Sequence, residues 1–422
     1  MYFSKNKISV GFLYNNIIPL AGFLLKIIAK FNHKIALGVE GRSETFRILQ
    51  KNLTNTDHTV WFHCASLGEY EQGLPVFSEL RKQYARHKII LSFFSPSGYE
   101  IRKNSPIADL VIYLPLDSKK NAQRFVNLVN PELTVFVKYD IWPNYLNEIK
   151  KNRLRAILIS ASFREDQRYF RFYGGLFRHA LFAFEHIFTQ NKTSKALLES
   201  INYLDATVSG DTRFDRVLDQ LNDNNTLNFV EVFKQDQLCV VAGSTWPEDE
   251  TLLTDYINSG AAPHTKFIIA PHNIKASQIS RLRLELKTST VLYSEKETRA
   301  LKDGQVLILD TIGLLSKIYR YADIAYVGGA LGHTGLHNTL EPAVFGIPIL
   351  IGHNYQRFPE AKAMIQRGGM FSVSNANDFK VILNKLLSDR DFRQASGHKN
   401  SNYIKENQGA VIQILDYLRI SS

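Results

Sequence analysis

A carboxylate set in a glycine turn, Ala65-Ser66-Leu67-Gly68-Glu69, is the clearest candidate for proton chemistry in the chain. It follows the apolar run Val60-Trp61-Phe62-His63-Cys64, which reads as a strand; Gly68 permits a tight turn and Glu69 opens the next helix. In open α/β sheets ligands bind beyond the carboxyl ends of the strands, so an acid placed there can serve as a general base. The same residue also fits a plainer role, a favourable first-turn acid at a helix N-terminus; spacing alone leaves both open. A second constellation is Gly328-Gly329-Ala330 followed by Gly335-Leu336-His337-Asn338-Thr339-Leu340-Glu341-Pro342, a strand running into a Gly-rich loop and a helix. Free N–H groups at such a helix start suit a phosphate. No Gly-Lys-Ser/Thr follows, and the glycine spacing is not the dinucleotide fingerprint. Asn338 and Glu341 also approximate a capping box. Three further polar loops follow strands: Ser244 to Glu250, Pro271-His272-Asn273 and Asp310-Thr311-Ile312-Gly313. Together with the Gly-rich loop they point to one shared ligand site. His63 and Cys64 read as strand core, since no partners stand at metal-ligand spacing.

The elements that must position these residues show a βαβ rhythm. Short apolar runs without alternation start at Val60, Ile89, Leu110, Leu133 and Ala156, each followed by a helix-competent stretch. Such runs are what buried parallel strands look like. The rhythm restarts after the Asp- and Asn-rich segment 219–230, with runs at Leu238, Phe267, Val306, Ile324 and Ile347. The expected architecture is α/β: two Rossmann-like domains joined by a linker and facing a central cleft. The expected divisions are an anchor over 1–34, a first domain over 35–218 and a second over 230–422, whose terminal helix can return to the first.

The 422 residues leave room for two full cores, and 45% apolar with 22% charged residues excludes a disordered chain. Lys plus Arg is 51 and Asp plus Glu is 40, a net charge of +11 that calls for an anionic partner. No helix-turn-helix, zinc or RNA-recognition signature supports nucleic acid. Two cysteines, each in an apolar run, argue against a disulfide framework. Five of the excess charges, Lys5, Lys7, Lys26, Lys30 and Lys34, lie in residues 1–39, which hold no acid. Between them Ile8 to Leu25 is an uncharged run of 18 residues, at the lower limit for a membrane span. A cleaved signal peptide would need a small-residue cleavage site, and Lys-Ile-Ile-Ala-Lys follows instead. A buried helix of a soluble domain is the plain alternative to the expected reading: an uncleaved anchor that spans the bilayer or lies in its interface. A second basic cluster interleaves Arg164, Arg168, Arg171 and Arg178 with Tyr169, Phe170, Phe172, Tyr173 and Phe177. It suits a membrane interface or phosphate-bearing ligand, and equally a helix with a solvated basic face and a buried aromatic one.

Five motifs, each weak alone, are specific in their order and spacing: the Glu69 turn, Trp142-Pro143-Asn144, Gly210-Asp211-Thr212-Arg213-Phe214-Asp215, Val327-Gly328-Gly329 and His337 to Pro342. Through them the chain resembles, essentially from end to end, the 3-deoxy-D-manno-octulosonic acid (Kdo) transferases of lipopolysaccharide synthesis. The resemblance implies a GT-B glycosyltransferase with an N-terminal anchor helix, held at the cytoplasmic face of the inner membrane. It implies inverting transfer of Kdo from CMP-Kdo to the 6′-hydroxyl of the tetraacyl lipid A precursor, with no catalytic metal and no cofactor. The family's base falls on Glu69, and its Gly-x-Leu-Lys-Phe-Asp lysine on Arg213. The donor contacts fall on Pro271 and His272, on Ile312, Gly313 and Leu314, and on Asn338, Thr339, Leu340 and Glu341.

Three positions depart from the family pattern. The arginine of Pro-Arg-His is His272, so a permanent charge is missing. The glutamate after Met-Gly is Leu314, so only backbone contacts remain there. In place of Glu-Thr-Glu before Leu-Trp-Pro-Asn stand Lys138-Tyr139-Asp140. The first acid, to which support of the transition state is ascribed in the family, is therefore Lys138, and Asp140 keeps the second. Lys138 instead suits contact with an acceptor phosphate or carboxylate. Two other readings compete: a membrane-associated GT-B enzyme using a UDP-sugar, and a non-enzymatic basic protein binding nucleotide or nucleic acid, which predicts salt-dependent binding to arbitrary sequences.

Overall fold

The apolar runs form two parallel sheets. In the first are β1 (Thr59–Cys64), β2 (Lys88–Phe93), β3 (Leu110–Tyr113), β4 (Leu133–Val137), β5 (Arg155–Ala161), β6 (His186–Thr189) and β7 (Ala206–Val208), in the order β3-β2-β1-β4-β5-β6-β7. In the second are β8 (Leu238–Thr245), β9 (Thr265–Pro271), β10 (Thr290–Leu292), β11 (Val306–Ile308), β12 (Ile324–Val327), β13 (Ile349–Gly352) and β14 (Met370–Val373), in the order β10-β11-β9-β8-β12-β13-β14. The structure, a computed structural model, describes residues 4–420, so the first three residues of the expected anchor and the last two of the chain lie outside it.

Both orders reverse direction once. In the first sheet β1 pairs with β2 on one side (Val60 beside Ile89) and β4 on the other (Val60 beside Leu133). In the second, β8 pairs with β9 (Val240 beside Phe267) and with β12 (Val240 beside Ile324). These are the switch points of doubly wound sheets, where adjacent loops run to opposite faces and open a crevice.

By contacts the chain divides into one unit of Met1–Arg216 with Gln408–Ser422, and another of Val217–Asn407. The first unit is held by every side chain of β1, all buried, and by the Phe62–Phe77 stack, with ring centroids 4.2 Å apart. Its core is completed by Ile414, Leu415 and Leu418 of the helix Ala410–Ile420. That helix is capped from within the unit: the Asp215 carboxylate accepts from the N–H groups of Gly409 (2.7 Å) and Ala410 (3.1 Å). An acid at a helix N-terminus satisfies donors the helix cannot. The C-terminal segment counted by sequence with the second domain thus lies with the first.

The Asp- and Asn-rich segment is likewise more ordered than a linker. Asn225 donates to the Gln220 carbonyl at 2.6 Å, the Leu227 N–H donates to Tyr321 at 2.6 Å, and Val230 and Phe233 are buried on the helix Asn228–Lys234. Contacts place it with the second unit from Val217 on.

The N-terminal helix Ser4–Ile28 has two faces. Tyr14, Asn15, Ile18, Gly22 and Leu25, spaced by three and four, are partly buried against the first unit. Phe12, Leu13, Ile17, Leu20, Phe23, Leu24 and Ile27 stand exposed on the other face. Val10–Ile28 is long and apolar enough to cross a membrane, a test that a soluble core helix or a signal sequence can also pass.

Candidate active site

Glu69 sits at the switch point of the first unit, in the first turn of the helix Leu67–Gln83 that follows β1. Its Oε2 accepts from the Ser66 N–H (2.8 Å) and the Ser66 hydroxyl (3.2 Å). Oε1 accepts from no group among the described residues. The residue is only 8% exposed. Burial first, and then the negative charge of Asp140, push its pKa up, against the opposing pull of His63, Lys138 and Ser66. A buried carboxylate held by one oxygen, with its pKa raised, has the chemistry that a general base requires.

Asp140 follows β4 on the other side of the switch point. Its Oδ2 contacts His63 Nε2 (2.7 Å) and accepts from Trp142 Nε1 (2.8 Å). His63, fully buried in β1, reaches the Ser92 hydroxyl with Nδ1 at 2.8 Å. Ser92 also accepts from Trp61 Nε1 at 2.7 Å. His63 thus bridges Ser92 and Asp140, and the Trp142 indole N–H reaches His63 Nε2 (3.0 Å) as well as Asp140. His63 therefore lies in the strand core as expected, and also orients an acid of the site. Its position in β1, two residues before the Ala65–Glu69 motif, carries no periodic signal that reveals this.

Lys138 is backbone-strained, with φ +70°, and its N–H donates to the Ile159 carbonyl at 2.8 Å. Positive φ in a non-glycine residue concentrates at functional sites. Its ammonium and the Arg164 guanidinium both stand over the Tyr139 ring, at 5.1 and 5.8 Å from its centroid. Arg213 is forked onto Asp211, through Nε at 2.8 Å and Nη2 at 2.7 Å. The neighbouring Thr212 hydroxyl donates to the Gln72 carbonyl at 2.5 Å, tying this motif to the helix that carries Glu69.

Asp117, which no motif singles out, is fully buried beside them. It accepts from the N–H groups of Asn144 and Tyr145 (both 3.1 Å) and from the Tyr14 hydroxyl (2.7 Å). It thereby fastens the Trp142-Pro143-Asn144 turn to the N-terminal helix. The basic–aromatic cluster forms no single helix. It consists of a short 3₁₀ turn, Arg168–Phe170, and the helix Gly175–Leu181, and Phe172 is 95% exposed. With Val10 it borders a cavity of about 520 Å³ lined by Arg168, Tyr169, Tyr173 and Phe177.

In the second unit the switch point lies between β8 and β12, and the loops after both strands meet. Asp249, fully buried, accepts from the N–H groups of Trp246 (2.9 Å) and Gly329 (2.9 Å) and from the Tyr326 hydroxyl (2.6 Å). Trp246 stacks on His272, centroids 4.6 Å apart, and donates from Nε1 to His337 Nε2 at 3.0 Å. His272 and His337 lie 4.6 Å apart. Burial, then the neighbouring His272, pull the His337 pKa down to about 4. Three of the four loops expected to share a site thus converge in an aromatic platform, and Trp246 and Asp249 emerge as its organisers.

Asn338 Oδ1 accepts from the Leu340 N–H (3.1 Å), and its amide donates to Glu341 (3.0 Å). The helix that follows, Leu340–Val344, has only five residues, so its dipole is small. Thr339 is buried, and its hydroxyl has no hydrogen-bond partner among the described residues. The loop with Ile312, Gly313 and Leu314 follows β11, two strands from β8. Ile312 there is 79% exposed, and Gly313 adopts φ +87°.

Comparison with known proteins agrees with these motifs. Residues 40–216 match the family described as 3-deoxy-D-manno-octulosonic-acid transferase (kdotransferase). A 3-deoxy-D-manno-octulosonic acid transferase of Haemophilus influenzae is 28% identical over 85% of this chain and 86% of its own. The protein of that name from Aquifex aeolicus is 25% identical over 80% of this chain and 89% of its own. Among solved structures, UDP-GlcNAc 2-epimerase from Neisseria meningitidis bound to UDP-GlcNAc superposes with TM-score 0.61 at 15% identity, covering 86% of this chain and 99% of that one. The Methanocaldococcus jannaschii UDP-GlcNAc 2-epimerase gives 0.54 at 13% identity, covering 86% of this chain and 100% of that one. At such identities these two show the fold alone: α/β of the GT-B kind, with two doubly wound Rossmann-like units. The chain is thus similar to the 3-deoxy-D-manno-octulosonic-acid transferases, in the family match over 40–216 and in relatives of 25–28% identity over most of its length.

Proposed function

We propose that this chain is an inverting glycosyltransferase of lipopolysaccharide synthesis that moves Kdo from CMP-Kdo to the 6′-hydroxyl of the tetraacyl lipid A precursor and releases CMP. The observation that carries the reading is Glu69, enclosed at the switch point with Oε2 anchored and its pKa raised. Within the reading, Glu69 takes the proton of the acceptor hydroxyl while that oxygen attacks the anomeric carbon. The bond from that carbon to the CMP phosphate breaks, and its electron pair leaves with CMP. Asp140, oriented by His63 and Trp142, keeps a second negative charge near the reacting centre. Arg213 supplies positive charge close by, and Lys138 with Arg164 meets an anionic group of the acceptor. In the second unit, CMP is held by Pro271, His272, Ile312, Gly313, Leu314, Asn338, Thr339, Leu340 and Glu341.

The acceptor is an acylated anion, so the enzyme meets it at a membrane surface. The exposed apolar face of Ser4–Ile28, with Lys26 and Lys30 at its end, supports an interfacial position on the cytoplasmic side of the inner membrane. Its other face is fastened to the first unit by the Tyr14–Asp117 bond, which favours lying in the interface over crossing it. Mass spectrometry of the product from CMP-Kdo and the tetraacyl precursor tests the proposal. A mass increase of one or more Kdo units supports it. Transfer only from a UDP-sugar, or from no sugar nucleotide, overturns it.

A further inference from the structure

At the opposite end of the first sheet from Glu69, three neighbouring strands begin side by side. His58 stands one residue before β1, His87 one before β2 and Glu132 one before β4. Backbone bonds fix these starts to one another: the Lys88 N–H donates to the His58 carbonyl (2.9 Å), and the Glu132 N–H to the Thr59 carbonyl (2.9 Å). The side chains converge as well. Glu132 Oε1 contacts His58 Nδ1, and Glu132 Oε2 contacts His87 Nε2 at 2.9 Å. One potential ligand atom from each residue lies within 4.8 Å of the others. The His87 ring is held edge-on by Tyr84, centroids 4.8 Å apart, and its carbonyl accepts from Arg81. Its Nδ1 is buried with no hydrogen-bond partner among the described residues, so none of them competes with Glu132 for the ring.

The geometry points to a binding site for a divalent metal ion at His58, His87 and Glu132. Two imidazoles and one carboxylate form the donor set that suits Zn²⁺, whereas Mg²⁺ and Ca²⁺ take oxygen ligands. The three positions are set by adjacent strands of a rigid sheet, so little ordering is needed to gather them. Small rotations of the side chains close the separation to a metal's first shell, with water completing the tetrahedron. The six residues of β1 span about 20 Å at ~3.3 Å each, so the ion sits far from Glu69 and takes no part in transfer. It acts as a clamp across the amino ends of β2, β1 and β4, joining segments distant in sequence.

Isothermal titration of Zn²⁺ into the full chain in detergent micelles tests the site, alongside thermal melting with zinc or with a chelator. The wild type is expected to take up one zinc per chain and to melt higher when it is bound, as for any ligand that binds the folded state alone. His58→Ala and His87→Ala should each weaken binding by about tenfold or more, the scale on which disturbed metal shells lose affinity. Glu132→Gln keeps the shape and removes the ligand charge. It should behave the same way, and it serves as the readout if an alanine variant fails to fold. Transfer activity should be equal in the wild type and the variants. Absent zinc uptake by the wild type overturns the site, and so does uptake that survives Glu132→Gln unchanged.

Discussion

Replacing Asp117 with asparagine should change how the first unit responds to pH. Burial, above all, raises this carboxyl from 3.8 to about 6, with Asp140 adding to the rise and the bonds from Asn144, Tyr14 and Tyr145 opposing it. A folded-state pKa above the unfolded value means that the protonated form is the one the fold favours. Its stabilising contribution is complete below about pH 4 and is lost as pH rises through 6. At ~1.4 kcal/mol per pH unit the whole swing is about 3 kcal/mol. Linkage places roughly half of it, ~1.5 kcal/mol, between pH 5 and pH 8. Asparagine is neutral throughout, so it removes this pH-dependent part. It also turns an amide N–H₂ towards a backbone N–H of Asn144 or Tyr145, a pH-independent loss of about 1–3 kcal/mol. The wild type's margin over the variant therefore narrows by ~1.5 kcal/mol from pH 5 to pH 8. For a unit of this size the narrowing corresponds to about 3–6 °C in Tm. Melting curves of both proteins in one detergent across pH 5–8 measure it. A gap that stays constant or widens with pH would refute the reasoning.

Gly329 adopts φ +94°, and a Cβ there would lie 2.1 Å from the Gly335 carbonyl oxygen. Gly329→Ala should destabilise the second unit by about 2 kcal/mol or more and weaken CMP binding, read by calorimetric melting and CMP titration. Lys138→Met removes a cation beside Tyr139 without shortening the side chain. The KM for the lipid acceptor should rise roughly tenfold, on the scale of one lost charged hydrogen bond, with kcat less affected; an unchanged KM would count against the anion contact. Substituting Phe23, Leu24 and Ile27 together by serine strips the exposed face of the N-terminal helix. Sedimentation with anionic vesicles should fall sharply, while Tm stays nearly constant because these side chains are exposed in the fold.

The sequence announces ten of the fourteen strands, because a strand buried on both faces must be apolar along its whole length. The others are short or marginal. Ala206–Val208, Thr290–Leu292 and Met370–Val373 are edge strands of three or four residues, and His186–Thr189 begins with a polar side chain. Their pairing is decided by neighbours distant in sequence. The two-unit pattern is legible for the same reason. The return of the terminal helix to the first core is settled by Asp215, whose partners lie almost two hundred positions away, at Gly409 and Ala410.

The candidate site is legible where chemistry coincides with turn signals, as at Glu69 and Gly328-Gly329. It is hidden where a residue acts from inside an element. His63 looks like strand core and is strand core; only its register beside Ser92 reveals the polar link from Ser92 to Asp140. Asp117 is a single acid in an ordinary context, and Asp249 is the middle one of three successive acids in the Ser244–Glu250 loop. Each becomes an organiser because three donors from two segments converge on it.

The central claim is that Glu69 removes the acceptor proton. The most direct measurement is the initial rate of CMP release from CMP-Kdo with the lipid acceptor present, for the wild type and Glu69→Gln, across pH. Loss of a general base lowers such rates by about 10²–10⁴-fold. The wild-type rate should rise with pH through an apparent pKa above the usual glutamate range, since burial and Asp140 delay ionisation of the base. A Glu69→Gln rate at least about a hundredfold lower, with that limb gone, is the expected result. A variant that releases CMP at nearly the wild-type rate, with the same pH profile, would contradict it.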